Sequence, residues 1–447
     1  MCRVLASIGP QAACSATRCS TASPRPSDML EADSDVRTKR HIRRLMLFFA
    51  IVYLVEGIGQ AKVGVIWQPL NYYLKQVHGW TPVEISLSLA VLDLPWIIKP
   101  VFGLVSDFVP LFGYRRRAYL LLANLAAVIG YGAVTMISAP GPLVSALLVT
   151  AFAMAIASTV CGALLVENGQ RYEASGAFVT QQWLWFNVAT MATAFLGGLL
   201  IEWFTPIGAL RVAAATAAVA PLAVMVAAPA LVEEERSGID LAQLRRTLRA
   251  LLSALAARRL WLIAGFLFLY YFSPGIGTPL YFHLTDRLRF SQEYIGVLSA
   301  VGSAGWIAGA LLHRWLLGRI TLGKLLNLSV AMGTLSTLAF LLLRDPIGAA
   351  AIYFLNGISG MIANIATLTL AADFCPRRSE GFVFAALASV VNLATPLADN
   401  IGSYLYERAF GGALAPLILV SAAATALVFL LVPLLRLGDK KQGSPAP

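Results

Sequence analysis

The chain alternates long apolar runs with short polar connections, and each run holds about twenty residues, enough for a helix to cross the ~30 Å hydrocarbon core of a bilayer. Runs near 45–68, 84–106, 118–138, 143–166, 181–202, 208–231, 260–282, 293–316, 323–343, 346–372, 380–405 and 412–435 predict twelve transmembrane helices in two sets of six. Between the sets, residues 232–259 open with Glu233, Glu234 and Glu235. They continue with Leu241, Leu244, Leu248, Leu251 and Leu255 on one face and Arg245, Arg246 and Arg249 near it, the pattern of an amphipathic helix lying on a membrane surface. The predicted architecture is an all-α membrane protein. It has an N-terminal tail (1–44), a six-helix half (45–231), a linker (232–259), a second six-helix half (260–436) and a C-terminal tail (437–447).

Composition supports this class. Of 447 residues 58% are hydrophobic and 13% charged, which excludes an ordinary soluble enzyme or binding module. The 34 basic and 23 acidic residues leave a net charge of +11. In a soluble chain that balance would suggest nucleic acid; here the basic residues sit between spans, where they act as topology signals. One set of tails and alternate loops carries 23 of them, in clusters such as Arg37 to Arg44, Arg115 to Arg117, Arg171, Arg236 to Arg259, Arg314 to Lys324, Arg377, Arg378, and Arg436 to Lys441. The other set carries six: Lys75, Arg211, Arg287, Arg289, Arg344 and Arg408. Positively charged loops stay cytoplasmic, so both termini and the linker are expected there. Short loops without a lumenal domain favour a bacterial inner membrane, with an organelle membrane as the alternative. The first 27 residues lack acids and carry Arg3, Arg18 and Arg25, a composition shared by transit peptides, loose extensions and overlong gene starts, with Met29 as a possible true beginning.

Cys2, Cys14, Cys19, Cys161 and Cys375 have no metal-type spacing, and the four histidines, His283 and His313 among them, form no catalytic set. With no Walker A sequence either, the residues predict no enzyme activity, no metal and no cofactor. The expected partners are the lipid bilayer and a small-molecule solute.

The most informative stretch is Leu94-Pro-Trp-Ile-Ile-Lys-Pro-Val-Phe-Gly-Leu-Val-Ser-Asp-Phe-Val-Pro-Leu-Phe-Gly-Tyr-Arg-Arg-Arg117. Gly103 and Asp107 end the second span, and Gly113 with Arg115, Arg116 and Arg117 makes a tight turn into the third. Glycine admits close helix approach. The acid and the arginines can make charge-assisted pairs that form in one transporter state and break in the other, which is how a gate works. Glu167 and Arg171, and Asp373 with Arg377 and Arg378, are further gate charges or ordinary loop pairs. A weak repeat relates Glu84, Trp96 and Gly103 to Glu293, Trp306 and Gly309, in the second span of each half.

The same stretch resembles the folate-biopterin transporter family of the major facilitator superfamily, whose second span reads Leu-Pro-Trp-x-x-Lys-Pro-x-x-Gly followed by Ser-Asp, Pro and Phe-Gly-Tyr-Arg-Arg-Arg. The likeness extends to Ala163-Leu-Leu-Val-Glu167, Phe290-Ser-Gln-Glu-Tyr-Ile-Gly296, and Cys375-Pro376 with Glu380, Gly381, Phe384, Ala385, Ser389 and Asn392, so it covers about residues 45–435. The resemblance implies a carrier of folates, pterins or similar solutes, coupled to protons. One departure stands out. The family commonly has two aspartates just before the Ala-Leu-x-Val-Glu element, where this chain has Ser158 and Gly162. Intramembrane acids are candidate proton carriers, so their loss bears on both coupling and substrate.

Charges inside spans are expensive and default to functional candidates. Glu56 and Lys62 fall in span 1, Asp93 and Lys99 in span 2, and Asp399 in span 11. Partners six residues apart lie about 120° round a helix, which favours pairing across spans, Glu56 with Lys99 or Asp93 with Lys62. Pro95 and Pro100 bracket Lys99 and should bend its helix. Lys62 and Lys99 are either cations for an anionic solute or members of an ion pair that locks spans 1 and 2. Trp67, Gln68, Asn71, Gln181, Gln182, Trp183, Trp185, Asn187, Asn356, Asn364, Asn392 and Asn400 offer stacking and amide contacts to a flat heterocycle, with Gln182, Trp183 and Asn187 expected to face the cavity. Interfacial anchoring and helix ties are their other uses.

Together these observations predict a secondary active transporter working by alternating access. The rival readings are a major facilitator carrier for an unrelated solute, such as a drug, metabolite or exported amphiphile, and a non-transporting membrane scaffold.

Overall fold

The structure is a computed structural model that describes residues 26–172, 174–232, 234, 245, 249, 256–317, 320–373 and 380–435. Most of the linker, the gate-charge candidates Arg377 and Arg378, the side chain of Asp373 and both distal tails lie outside the described residues. Residues 1–43 and 44–447 form two separate units, and the membrane region is the second.

Ten helices among the described residues are long and apolar enough to cross a membrane. They are spans 2 to 6 and 8 to 12 of the sequence pattern. Spans 1 and 7, the first of each half, are broken. Span 1 consists of α1 (Pro26–Gly59) and α2 (Trp67–His78), separated by residues 60–66. It therefore reaches His78, beyond the predicted limit, and Lys62 lies in the break rather than on a continuous helix. Gly57 and Gly59 precede the break and Gly64 lies within it, and glycine is a poor helix former. Gly64 N–H to Gln60 O (2.7 Å) and Val65 N–H to Ile58 O (3.0 Å) satisfy the opened backbone. Span 7 repeats the device: α9 (Arg258–Tyr271) and α10 (Gly277–Phe282) flank Ser273-Pro-Gly-Ile-Gly, and the Gly275 N–H donates to Ala398 O of span 11 at 2.8 Å. Non-helical backbone at membrane depth persists where it is buried in protein or lines a cavity.

Span 2 divides at Ile98 into α3 (Pro82–Ile97) and α4 (Lys99–Phe108), the bend expected from Pro95 and Pro100. The remaining helices are α5 (Arg117–Met136), α6 (Pro140–Arg171), α7 (Ser175–Trp203), α8 (Pro206–Leu231), α11 (Gln292–Leu312), α12 (Leu322–Ala339), α13 (Pro346–Asp373), α14 (Glu380–Tyr404) and α15 (Leu414–Leu427). The sequence repeat has a structural counterpart at the start of span 2 and span 8. Thr81 and Glu84 form a capping box on α3, and Ser291 caps α11 two residues before Glu293.

Lipid gives helices no hydrophobic reason to associate, so packing rests on small residues and polar ties. Ala213, Ala214 and Ala217 of α8 are buried, as is Ala127 of α5. Gly305 and Gly309 of α11 lie against the Phe354 and Ile358 carbonyls of α13, too close for a side chain to fit without movement. The motif glycine Gly103 is different: a methyl there would meet only Thr159, at an ordinary 3.7 Å. The tight approach that the repeat predicts is therefore realised at Gly309 and not at Gly103.

Candidate transport site

Polar ties join the two halves at the end opposite the basic loops. Gln68 of α2 donates to the Gln292 carbonyl at 2.6 Å, and Glu202 of α7 accepts from the Gln292 N–H at 3.0 Å. The spans 7 and 11 finish in π-helical turns, His283–Arg287 and Leu405–Ala409. These turns carry the acids that cross to the first half: Asp286 pairs with Lys75, and Glu407 accepts from the Val83 N–H at 3.2 Å. Beside them Gly198 of α7 packs on the Gln292 carbonyl and Gly296 of α11 on the Ala194 carbonyl, which brings spans 5 and 8 into close contact. This end is closed.

Below the closure lies a cavity of about 350 Å³ between the halves. Its lining combines Trp67, Trp183, Phe186 and Trp306 with Gln68, Asn187, Ser299, Ser303 and one cation, Lys62. That size and mixture suit a small organic ligand. Trp183 and Asn187 line it as expected from sequence, whereas Gln182 is not among the lining residues. Asn187 spends its amide N–H on the Trp183 carbonyl one turn earlier, at 2.7 Å, which leaves its amide oxygen without that duty.

The break in span 1 turns Lys62 toward spans 2 and 11. Its Nζ lies 2.5 Å from Asp93 Oδ2 and 3.7 Å from Asp399 Oδ2. The Asp93 to Lys62 pairing matches expectation, and Asp399 of the other half joins it. The expected pair of Glu56 and Lys99 forms only indirectly. Lys99 donates to the Ser158 hydroxyl and Ser158 donates to Glu56 Oε1, each at 3.0 Å. Ser158 is the position where the resemblance led to an aspartate, and a neutral bridge now stands there. Lys99 also lies over the Trp96 ring at 4.4 Å, and the Trp96 carbonyl accepts from Asn392 of α14 at 2.9 Å. Asn392 additionally lines a smaller cavity, about 130 Å³, inside the second half.

At the basic end the loop between spans 2 and 3 turns tightly through Phe112 (φ 53°) and Gly113 (φ 82°), closed by reciprocal backbone bonds of Leu111 and Tyr114. Two successive positive φ values explain the glycine. Arg116 is buried and reaches Asp107 and Glu167, each at 2.5 Å, and the Ser106 hydroxyl at 2.8 Å. Burial opposes its charge and the two carboxylates more than offset that, so its pKa is raised. Of the three arginines, Arg116 holds both Asp107 and Glu167. Arg117 lies over the Tyr114 ring and Arg171 over the Tyr172 ring, so Glu167 pairs with Arg116 and not with Arg171. The backbone N–H groups of Arg115, Arg116 and Arg117 all donate to the Glu234 carboxylate, at 2.7 to 2.8 Å. An acid from the start of the linker thus caps the third span, where the helix dipole favours negative charge.

Sequence reasoning missed the two helix breaks. The signal was present: Gly57-Ile-Gly-Gln-Ala-Lys-Val-Gly64 and Ser273-Pro-Gly-Ile-Gly277 interrupt corresponding apolar segments of the two halves, which marks a transporter binding site.

Twelve crossing segments among the described residues, in two halves with a broken first segment in each and a solute-sized cavity at their junction, give the chain the architecture of the major facilitator fold. Solved structures agree on the fold. The nucleoside transporter NupG superposes with a TM-score of 0.64 at 12% identity, over 88% of this chain and 99% of that one. The inward-open xylose transporter XylE from E. coli gives 0.68 at 13%, over 89% and 97%. The chain belongs to the BT1 family, whose profile matches residues 59–441. It is 29% identical to the folate-biopterin transporter of Synechocystis over 88% of this chain and 82% of that one, and 25% identical to folate transporter 2 of Plasmodium falciparum over 79% of each. It is an integral multi-pass membrane protein that carries a solute.

Proposed function

We propose that this carrier moves an anionic bicyclic heterocycle of the folate or pterin kind, driven by a proton gradient. One observation carries the reading: three indoles, two amide side chains and a single lysine line the cavity between the halves. Indole faces stack on flat rings, amides match ring donors and acceptors, and Lys62 attracts a carboxylate. The names of the Synechocystis and Plasmodium relatives support the solute class. The distribution of basic residues, 23 against six, supports cytoplasmic termini, and a bacterial inner membrane accords with the short loops. In that orientation the closed end faces outward, and the Arg116 cluster belongs to the cytoplasmic gate.

The test is uptake of labelled folate and biopterin by proteoliposomes with and without an imposed proton gradient. Saturable uptake that the gradient enhances supports the reading. No uptake by folded, oriented protein transfers the site to another solute.

A further inference from the structure

Five ionisable side chains of spans 1, 2 and 11 form two groups: Lys62 with Asp93 and Asp399, and Glu56 with Lys99 through Ser158. In the first group two acids face one lysine, and in the second one acid faces one lysine. Asp93 and Asp399 both lie within ion-pair range of Lys62, at 2.5 and 3.7 Å. Glu56 reaches its lysine only through the Ser158 hydroxyl. Its side chain is buried, with 8% of the residue exposed, and its Oε2 has no hydrogen-bond partner. A desolvated carboxylate oxygen without a donor is costly, and a proton supplies what the surroundings do not.

The groups facing Glu56 are consistent with this. Lys99 and Ser158 face it from spans 2 and 4, Cys161 from span 4 and Tyr53 from its own helix. On the side of span 5, Gly57 packs directly on the Phe186 carbonyl and Ala189, which bring no titratable group. The second half has a neutral tie between its own first and fourth spans, where the Tyr271 and Thr367 hydroxyls lie 2.9 Å apart. The charged version therefore belongs to the first half.

We propose that Glu56 Oε2 is the binding site of the coupling proton, with Ser158 and Lys99 as positioning residues; this rests on the proton-coupled reading above. The proton arrives from one aqueous phase, forms an O–H bond at Oε2 and leaves to the other phase, and no bond of the solute changes. Neutralising Glu56 leaves Lys99 without its counter-charge. An anionic solute restores the balance, so proton and anion each strengthen the binding of the other. Lys99 lies on Trp96, whose carbonyl holds Asn392 of the second half, so its electrostatic state acts directly at the moving junction.

The test uses the full chain in proteoliposomes with labelled folate and biopterin. It compares uptake with and without an acid-outside gradient, and solute counterflow with no gradient. In the wild type the gradient should raise uptake several-fold. Glu56→Gln should bring that ratio close to one while counterflow persists, and Glu56→Asp should keep the gradient response. A wild-type ratio in Glu56→Gln, a ratio lost in Asp399→Asn and kept in Glu56→Gln, or loss of counterflow in Glu56→Gln would each overturn the assignment. Wild-type uptake indifferent to the gradient overturns coupling itself. Absence of any wild-type uptake instead refutes the solute class, and infrared difference spectra across pH, recorded without solute, then decide on Glu56. A protonated-carboxyl band present in the wild type and missing from Glu56→Gln supports the site; the same band in both overturns it.

Discussion

Lys62 of the first half lies 3.7 Å from Asp399 of the second while it forms an ion pair with Asp93 at 2.5 Å, so one ammonium group spans the junction that must open and close during transport. Lys62 lies in the break between α1 and α2, at residues 60–66. Lys62 also lines the solute cavity, and a bound anion competes with both acids for it.

Removing Lys62 strands Asp93 in the protein interior. The pair is partly shielded, 22% and 16% exposed; breaking it from one side costs at most about 3 kcal/mol, whereas removing both partners costs much less. Lys62→Ala should therefore lower the melting temperature of the detergent-purified protein markedly, and Lys62→Ala with Asp93→Ala should recover most of the loss without recovering transport. A double variant as unstable as the single one would show that the pair does not stabilise the fold.

Trp183 supplies one indole face of the cavity. Stacking of a heterocycle on an aromatic side chain contributes about 1–3 kcal/mol, so Trp183→Ala should weaken biopterin binding by roughly tenfold or more, read by equilibrium titration. Gln182→Ala, one residue earlier and outside the lining, should change affinity by less than about twofold. Equal effects of the two would mean that the solute sits elsewhere.

The Arg116 cluster predicts a split between rate and binding. Asp107 and Glu167 are about half exposed, so each contributes below about 1 kcal/mol to stability. Asp107→Asn should leave solute affinity close to wild type and reduce the maximal transport rate, as expected for a group whose pairing changes between transporter states. Arg116→Ala should do more, because three side-chain partners lose their common donor. Parallel loss of rate and affinity in Asp107→Asn would remove it from the gate.

Gly198 has no room for a side chain against the Gln292 carbonyl. Gly198→Val should wedge spans 5 and 8 apart and disfavour closure of the outer end. The check is reaction of Ser303→Cys, in the cavity lining, with a membrane-impermeant maleimide added from that side. Labelling should rise in the Gly198→Val background, with Ser303 unaltered as the control for native cysteines. Unchanged labelling would mean that the contact does not govern closure.

The sequence by itself determined how many times the chain crosses the membrane, which loops are basic, and where charges fall inside the spans. Apolar runs of bilayer length and a lopsided distribution of Lys and Arg are properties of the chain, independent of how the helices pack. It also anticipated the bend at Lys99, because proline acts locally, and the partnership of Lys62 with Asp93. The tertiary structure alone decided that Asp399 joins that pair, that Ser158 stands between Glu56 and Lys99, that Arg116 and not its neighbours holds Asp107 and Glu167, and that Glu234 caps the third span. Each of these depends on distances between segments tens to hundreds of residues apart. Hydrophobic periodicity shows where a helix runs but not which of its faces meets which neighbour, and in lipid, where every face is equally apolar, only side-chain packing makes that choice.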